Sequence, residues 1–109
     1  MSVETVCLIT DKGRKSLGQV LKHFRTAKRW SMDDLLIEIN RVTGFTVSRA
    51  TISELERGNN EPKWNTLAIL AATGYMIHSA TGKPLTTTEL FAIACETLDP
   101  SEIIQTPPQ

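Results

Sequence analysis

Ser48-Arg49-Ala50-Thr51-Ile52-Ser53-Glu54-Leu55-Glu56-Arg57-Gly58 is the stretch on which the reading of the whole chain turns. Both ends of a short helix are marked in it. The Ser48 hydroxyl is suited to accept a hydrogen bond from an orphan N–H of the first turn. Val47 and Ile52 stand at the two positions of a hydrophobic staple, which fixes how the chain enters the helix. Gly58 follows the last helical residue, where a left-handed conformation is usual. The two faces differ in kind. Ile52 and Leu55 lie on one side and anchor it in a core. Arg49, Ala50, Ser53, Glu54 and Arg57 share the other, with guanidinium, methyl, hydroxyl and carboxylate groups. Such groups meet base edges in a major groove, and mixed charge at this spacing also makes an ordinary solvated face.

Upstream, Leu17, Val20, Leu21, Phe24 and Lys28 fall at helical spacing from Ser16 onward. Ser31 caps a second helix, with Asp33 and Asp34 in the first turn, where the macrodipole favours anions. Its inner stripe is Met32, Leu35, Leu36 and Ile39, with Val42 as an optional last member, and it ends at Gly44. Residues 1–15 form an N-terminal arm or a short strand, depending on whether Val3, Val6, Cys7, Leu8 and Ile9 find a partner.

Downstream, Asn59-Asn60-Glu61-Pro62 is a loop, and a nearly all-apolar fourth helix runs from Trp64 to Thr73, stopping at Gly74. Residues 75–86 flank Ala80-Thr81-Gly82 as a small hairpin. Thr86 to Glu89 is a capping box that opens a fifth helix, expected to reach Leu98 before Pro100 stops it. That helix carries Leu90, Phe91, Ile93 and Leu98, enough apolar surface to close the core or to form a dimer interface. Residues 105–109 read as a disordered tail. The expected fold class is all-α, with five helices and at most a short β element.

The totals bound the chemistry. One core fits in 109 residues, and 40% hydrophobic with 22% charged residues is ordinary for a globular domain. No apolar run approaches the ~20 residues of a membrane span, and the first residues lack the basic start of a signal peptide. Cys7 and Cys95 lie far apart with no ligand spacing around them, and are expected to be free thiols or core residues in a reducing cytoplasm. His23 and His78 likewise lack partners at metal-ligand spacing. No nucleophile–base pair or phosphate-cradling glycine loop is visible, so neither an enzyme nor a cofactor is implied. Net charge is zero but unevenly spread. Lys12 to Lys63 holds eleven basic against six acidic residues, and the rest holds one lysine against six acids.

Two helices joined by a turn, the second carrying the polar face, are the ingredients of a helix-turn-helix. Residues Leu17 to Gly74 resemble the phage-repressor/Cro-like (XRE) helix-turn-helix family. The resemblance rests on Leu17-Gly18, Arg25, Trp30-Ser31, Leu35, the Thr51-Ile52-Ser53 and Leu55-Glu56-Arg57-Gly58 runs, Pro62, and Leu67 through Gly74. It implies a lambda-repressor-like fold and a sequence-specific regulator of transcription, a dimeric repressor on a pseudo-palindromic double-stranded DNA operator. It also implies a structural ion pair between Arg25 and Glu56. Base contacts fall to Arg49, Ala50, Ser53 and Glu54. Phosphate contacts fall to Lys28, Arg29, Ser31, Thr46, Ser48, Arg57, Asn59, Asn60 and Lys63.

The sequence departs from that family at Met32, where glutamine is common, and in a longer connection from Leu35 to Ser48. Glu54 and Glu61 also stand near the expected DNA face. A protein-interaction module, such as the antitoxin of a toxin–antitoxin pair, is the alternative; the zero net charge and the apolar fifth helix favour it.

Overall fold

The computed structural model describes residues 8–104. Six helices follow one another: α1 (Asp11–Ala27), α2 (Met32–Thr43), α3 (Arg49–Arg57), α4 (Trp64–Thr73), α5 (Thr87–Ala94) and α6 (Pro100–Ile103). The fold is all-α; among the described residues the only extended pairing is an isolated antiparallel bridge, Ile77 to Pro84. Two further bonds, His78 N–H to the Lys83 carbonyl (2.9 Å) and Leu85 N–H to the Met76 carbonyl (2.8 Å), make this a hairpin-like loop rather than a sheet. Among the described residues no helix is long and apolar enough to cross a membrane.

Local chemistry sets most helix ends. The Ser48 hydroxyl accepts from Thr51 N–H at 3.1 Å, and Gly58 closes α3 at φ +70°. Gly44 and Gly74 close α2 and α4 in the same left-handed way. Capping boxes open α2 (Ser31 with Asp34) and α5 (Thr86 with Glu89).

Three boundaries differ from expectation, the first for a tertiary reason and the other two for local ones. The N-terminal arm or strand is not formed by residues 11–15, which belong to α1. Thr10 caps that helix, and its own N–H bonds the Ala94 carbonyl at 3.2 Å. Gly13 sits inside α1 and against α5, where a Cβ would stand 1.8 Å from the Ala94 carbonyl oxygen. Residues 1–7, including the rest of the expected arm, lie outside the described residues.

The fifth helix ends at Ala94, not Leu98. Glu96 turns the chain at φ +62°, and the Thr97 and Leu98 N–H groups bond back to the Ala92 carbonyl. Pro100 starts a helix instead of stopping one. It occupies the first turn of α6 behind the Asp99 cap, where its missing N–H costs nothing. Cys95, at the end of α5, is disulfide-bonded, so the expectation of a free thiol is corrected. Cys7 and the expected tail, 105–109, lie outside the described residues.

One core joins all six helices. Leu17, Val20, Leu21, Leu35, Ile39, Ile52, Leu55, Leu67 and Leu70 meet Tyr75, Met76, Leu85, Leu90, Ile93, Ala94 and Ile103. Leu90 and Ile93 are 0% and 1% exposed, so the expected dimer surface is corrected at these two positions: they are spent on the core. Phe91 and Leu98 pack partly against it. Phe91 also stacks on the exposed Trp64 ring, with centroids 5.1 Å apart.

Candidate nucleic-acid interface

The position of α3 follows from two contacts with α1. Gly18 allows the first: a Cβ there would lie 2.4 Å from the Glu56 carbonyl oxygen and 2.6 Å from that of Leu55. Main chains therefore approach more closely than any side chain permits. The second is the Arg25–Glu56 pair. Arg25 Nε donates to Glu56 Oε2 at 2.7 Å and Nη2 to Oε1 at 2.9 Å, a two-pronged pairing of planar groups. Its remaining Nη1 donates to the Trp30 carbonyl at 2.8 Å, tying in the turn before α2. The two side chains are only 10% and 4% exposed. The hydrogen bond to Glu56 outweighs the burial penalty, and the Arg25 pKa is raised. Arg14 Nε adds a bond to the Gly58 carbonyl at 3.2 Å.

Tyr75 packs beside this pair, its ring 5.8 Å from that of Trp30. Burial, and then the Glu56 charge, raise its pKa. Its hydroxyl is buried with no hydrogen-bond partner among the described residues. An unsatisfied buried hydroxyl carries a desolvation cost of ~1–3 kcal/mol. Tyr75→Phe is therefore expected to leave the thermal midpoint unchanged or raise it; a loss beyond ~1 kcal/mol would mean that the hydroxyl has a bonded role.

Ile52 and Leu55 hold α3 from behind at 2% and 6% exposure. On its other side Arg49 and Ala50 are exposed, and Ser53 and Glu54 are half-buried. These four side chains are brought onto one surface, but three of them already have partners. Arg49 Nη1 lies 3.6 Å from Asp33 Oδ1, Ser53 accepts from Arg57 Nη2 at 2.5 Å, and Glu54 accepts from Asn59 Nδ2 at 3.0 Å.

Of the expected phosphate ligands, Lys28, Arg29, Thr46, Arg57, Asn59, Asn60 and Lys63 are all exposed. Ser48 is exposed too, with its hydroxyl shared with Thr51. Ser31 needs correction. Its N–H donates to Asp34 Oδ2 at 2.9 Å and its hydroxyl accepts from Asp34 N–H, so a carboxylate already stands where an anion would sit. The Ser-x-x-Asp spacing carried that signal. Asp33 was the other residue whose part was missed, since nothing local in the sequence ties it to Arg49.

A cleft of ≈ 300 Å³ runs beside α3, lined by Ala50, Thr51, Glu54, Leu55, Asn60, Glu61, Lys63 and Thr66. A larger groove of ≈ 540 Å³, at the start of α1 and the α5–α6 connection, sets Glu96, Asp99 and Glu102 against Lys12. That sign of charge repels phosphate. The α3 cleft also sets two carboxylates, Glu54 and Glu61, against Lys63, so the α3 side is the candidate surface for its exposed Arg49 and Lys63 and not for the charge of its cleft. Among the described residues no cluster of His, Cys, Asp or Glu is arranged to hold a metal ion.

Comparison with protein-family models, curated proteins and solved structures finds no match to this chain.

Proposed function

We propose that the protein is a sequence-specific double-stranded DNA-binding regulator of transcription, acting as a dimeric repressor of the phage-repressor/Cro-like kind. One observation carries this reading: α3 is clamped from behind by Ile52, Leu55 and the Arg25–Glu56 pair, while its outer face stands open with Arg49 and Ala50 exposed. A rigid helix with a bare polar face is what a major groove accepts. In this reading Arg49 pairs with a guanine edge, Ala50 meets a thymine methyl and Glu54 takes a cytosine amino group. The basic residues before α2 and the Asn59, Asn60 and Lys63 segment grip phosphates on either side. Two copies would set their α3 helices in successive grooves ~34 Å apart. With Leu90 and Ile93 committed to the core, the Trp64–Phe91 stack is the better apolar contribution to that dimer.

Different roles give different signatures in a binding titration. Arg49→Ala is expected to relax the preference at one position in each half-site by ~1–3 kcal/mol. Lys63→Ala should weaken binding to every sequence alike and reduce the slope of log K against log salt by about 1. Anisotropy titrations of both variants at several salt concentrations check this. Identical behaviour of the two would break the division of roles.

The protein-interaction reading is favoured by one specific feature. Ile37, Phe45 and Trp64 are 66%, 60% and 54% exposed, more bare apolar area than a DNA face uses. Stable co-purification with a basic protein partner, together with absence of DNA selectivity, would support that reading.

A further inference from the structure

We infer that Asp33 is a specificity-determining residue that acts by positioning the Arg49 guanidinium; this rests on the DNA-binding reading. Asp33 stands in the first turn of α2, where the helix dipole holds a carboxylate in place. Its Oδ1 lies 3.6 Å from Arg49 Nη1 on α3, and both side chains are 67% exposed. Among the described residues no hydrogen bond is made by its side chain. The α2 capping box is completed by Asp34, which bonds the Ser31 N–H, so Asp33 is spare as a cap.

An exposed ion pair adds little to stability, so a folding role does not account for this one. Orientation is a different matter. A free arginine samples many rotamers and loses that freedom when its fork meets a base edge. A carboxylate beside it biases the guanidinium toward one side by charge and leaves the remaining N–H donors for the two acceptors of guanine. The pair also bridges α2 and α3 across the long connection, so it ties the reading side chain to the adjacent helix as well as to its own. In this reading Asp33 acts without touching DNA, where an unpaired carboxylate beside the DNA face would only lower affinity.

The test compares the full chain with Asp33→Asn and Asp33→Glu by selection from random duplex DNA, followed by titration of the selected duplex and its single-base variants. Asp33→Asn is expected to fold as before and to lose roughly fivefold or more of the preference at one position per half-site, the position that Arg49→Ala also relaxes. Asp33→Glu should restore part of it. Combining Asp33→Asn with Arg49→Ala should relax that position no further than Arg49→Ala alone. If Asp33→Asn instead tightens binding to all duplexes by one common factor, Asp33 merely repels phosphate and the inference is overturned. An unaltered consensus overturns it too, with the regulator reading intact. Absence of any consensus from the unsubstituted protein overturns both.

Discussion

Arg25→Ala is expected to remove about 3–5 kcal/mol of folding stability. The substitution strands the Glu56 carboxylate, 4% exposed, without its cation, and also deletes the donor to the Trp30 carbonyl. A small domain holds only ~5–15 kcal/mol in total, so the variant should be marginal and melt far below the parent. Glu56→Ala should cost somewhat less, because the Arg25 guanidinium keeps its bond to the Trp30 carbonyl. Replacing both residues by methionine should cost less than the sum of the two single changes, since no charge is left unpaired. Urea titration of the three variants gives the comparison. A loss below ~1 kcal/mol for Arg25→Ala would mean that water reaches the pair and screens it.

The second large effect is one of sign. An added methyl inside a helix ordinarily stabilises, since alanine is better than glycine by ~1 kcal/mol. Gly18→Ala is expected to do the opposite, destabilising by roughly 2 kcal/mol or more. The new Cβ would meet main-chain oxygens of Leu55 and Glu56, which cannot move aside as a flexible side chain could. Relief requires α1 and α3 to part, and that stretches the Arg25–Glu56 bonds and displaces the proposed reading helix. Gln19→Ala, on the exposed side of the same turn, is the control and should be neutral or mildly stabilising. Thermal melts of both decide it; a stabilised Gly18→Ala would contradict the close approach of the two helices.

What could be read from the chain without coordinates was the chemistry that acts within a turn. Ser31, Ser48 and Thr86 bond residues three along, and Gly44, Gly58 and Gly74 need no partner to turn left-handed, so helix ends at these places were legible. The place of Gly13 inside α1 was not legible, because it is not set within a turn. Its surroundings are set by Ala94, far away in sequence, and no local pattern reports that. Leu90 and Ile93 show a related limit, because apolar spacing looks the same whether a helix face meets its own core or another molecule.

At the candidate site, the exposed and anchored faces of α3 could be read from periodicity. The Arg25–Glu56 pairing came only from resemblance to a family. The Asp33–Arg49 juxtaposition could not be read at all, since it depends on how a long connection returns α3 to the start of α2.

Selection of bound sequences from random duplex DNA by the full chain, repeated with Arg49→Ala, puts the proposed use of α3 to its most direct test. A two-fold-symmetric consensus, relaxed at a single position of each half in the variant, is the predicted result. Failure to enrich any sequence, or a consensus that survives loss of the Arg49 side chain unchanged, would contradict it.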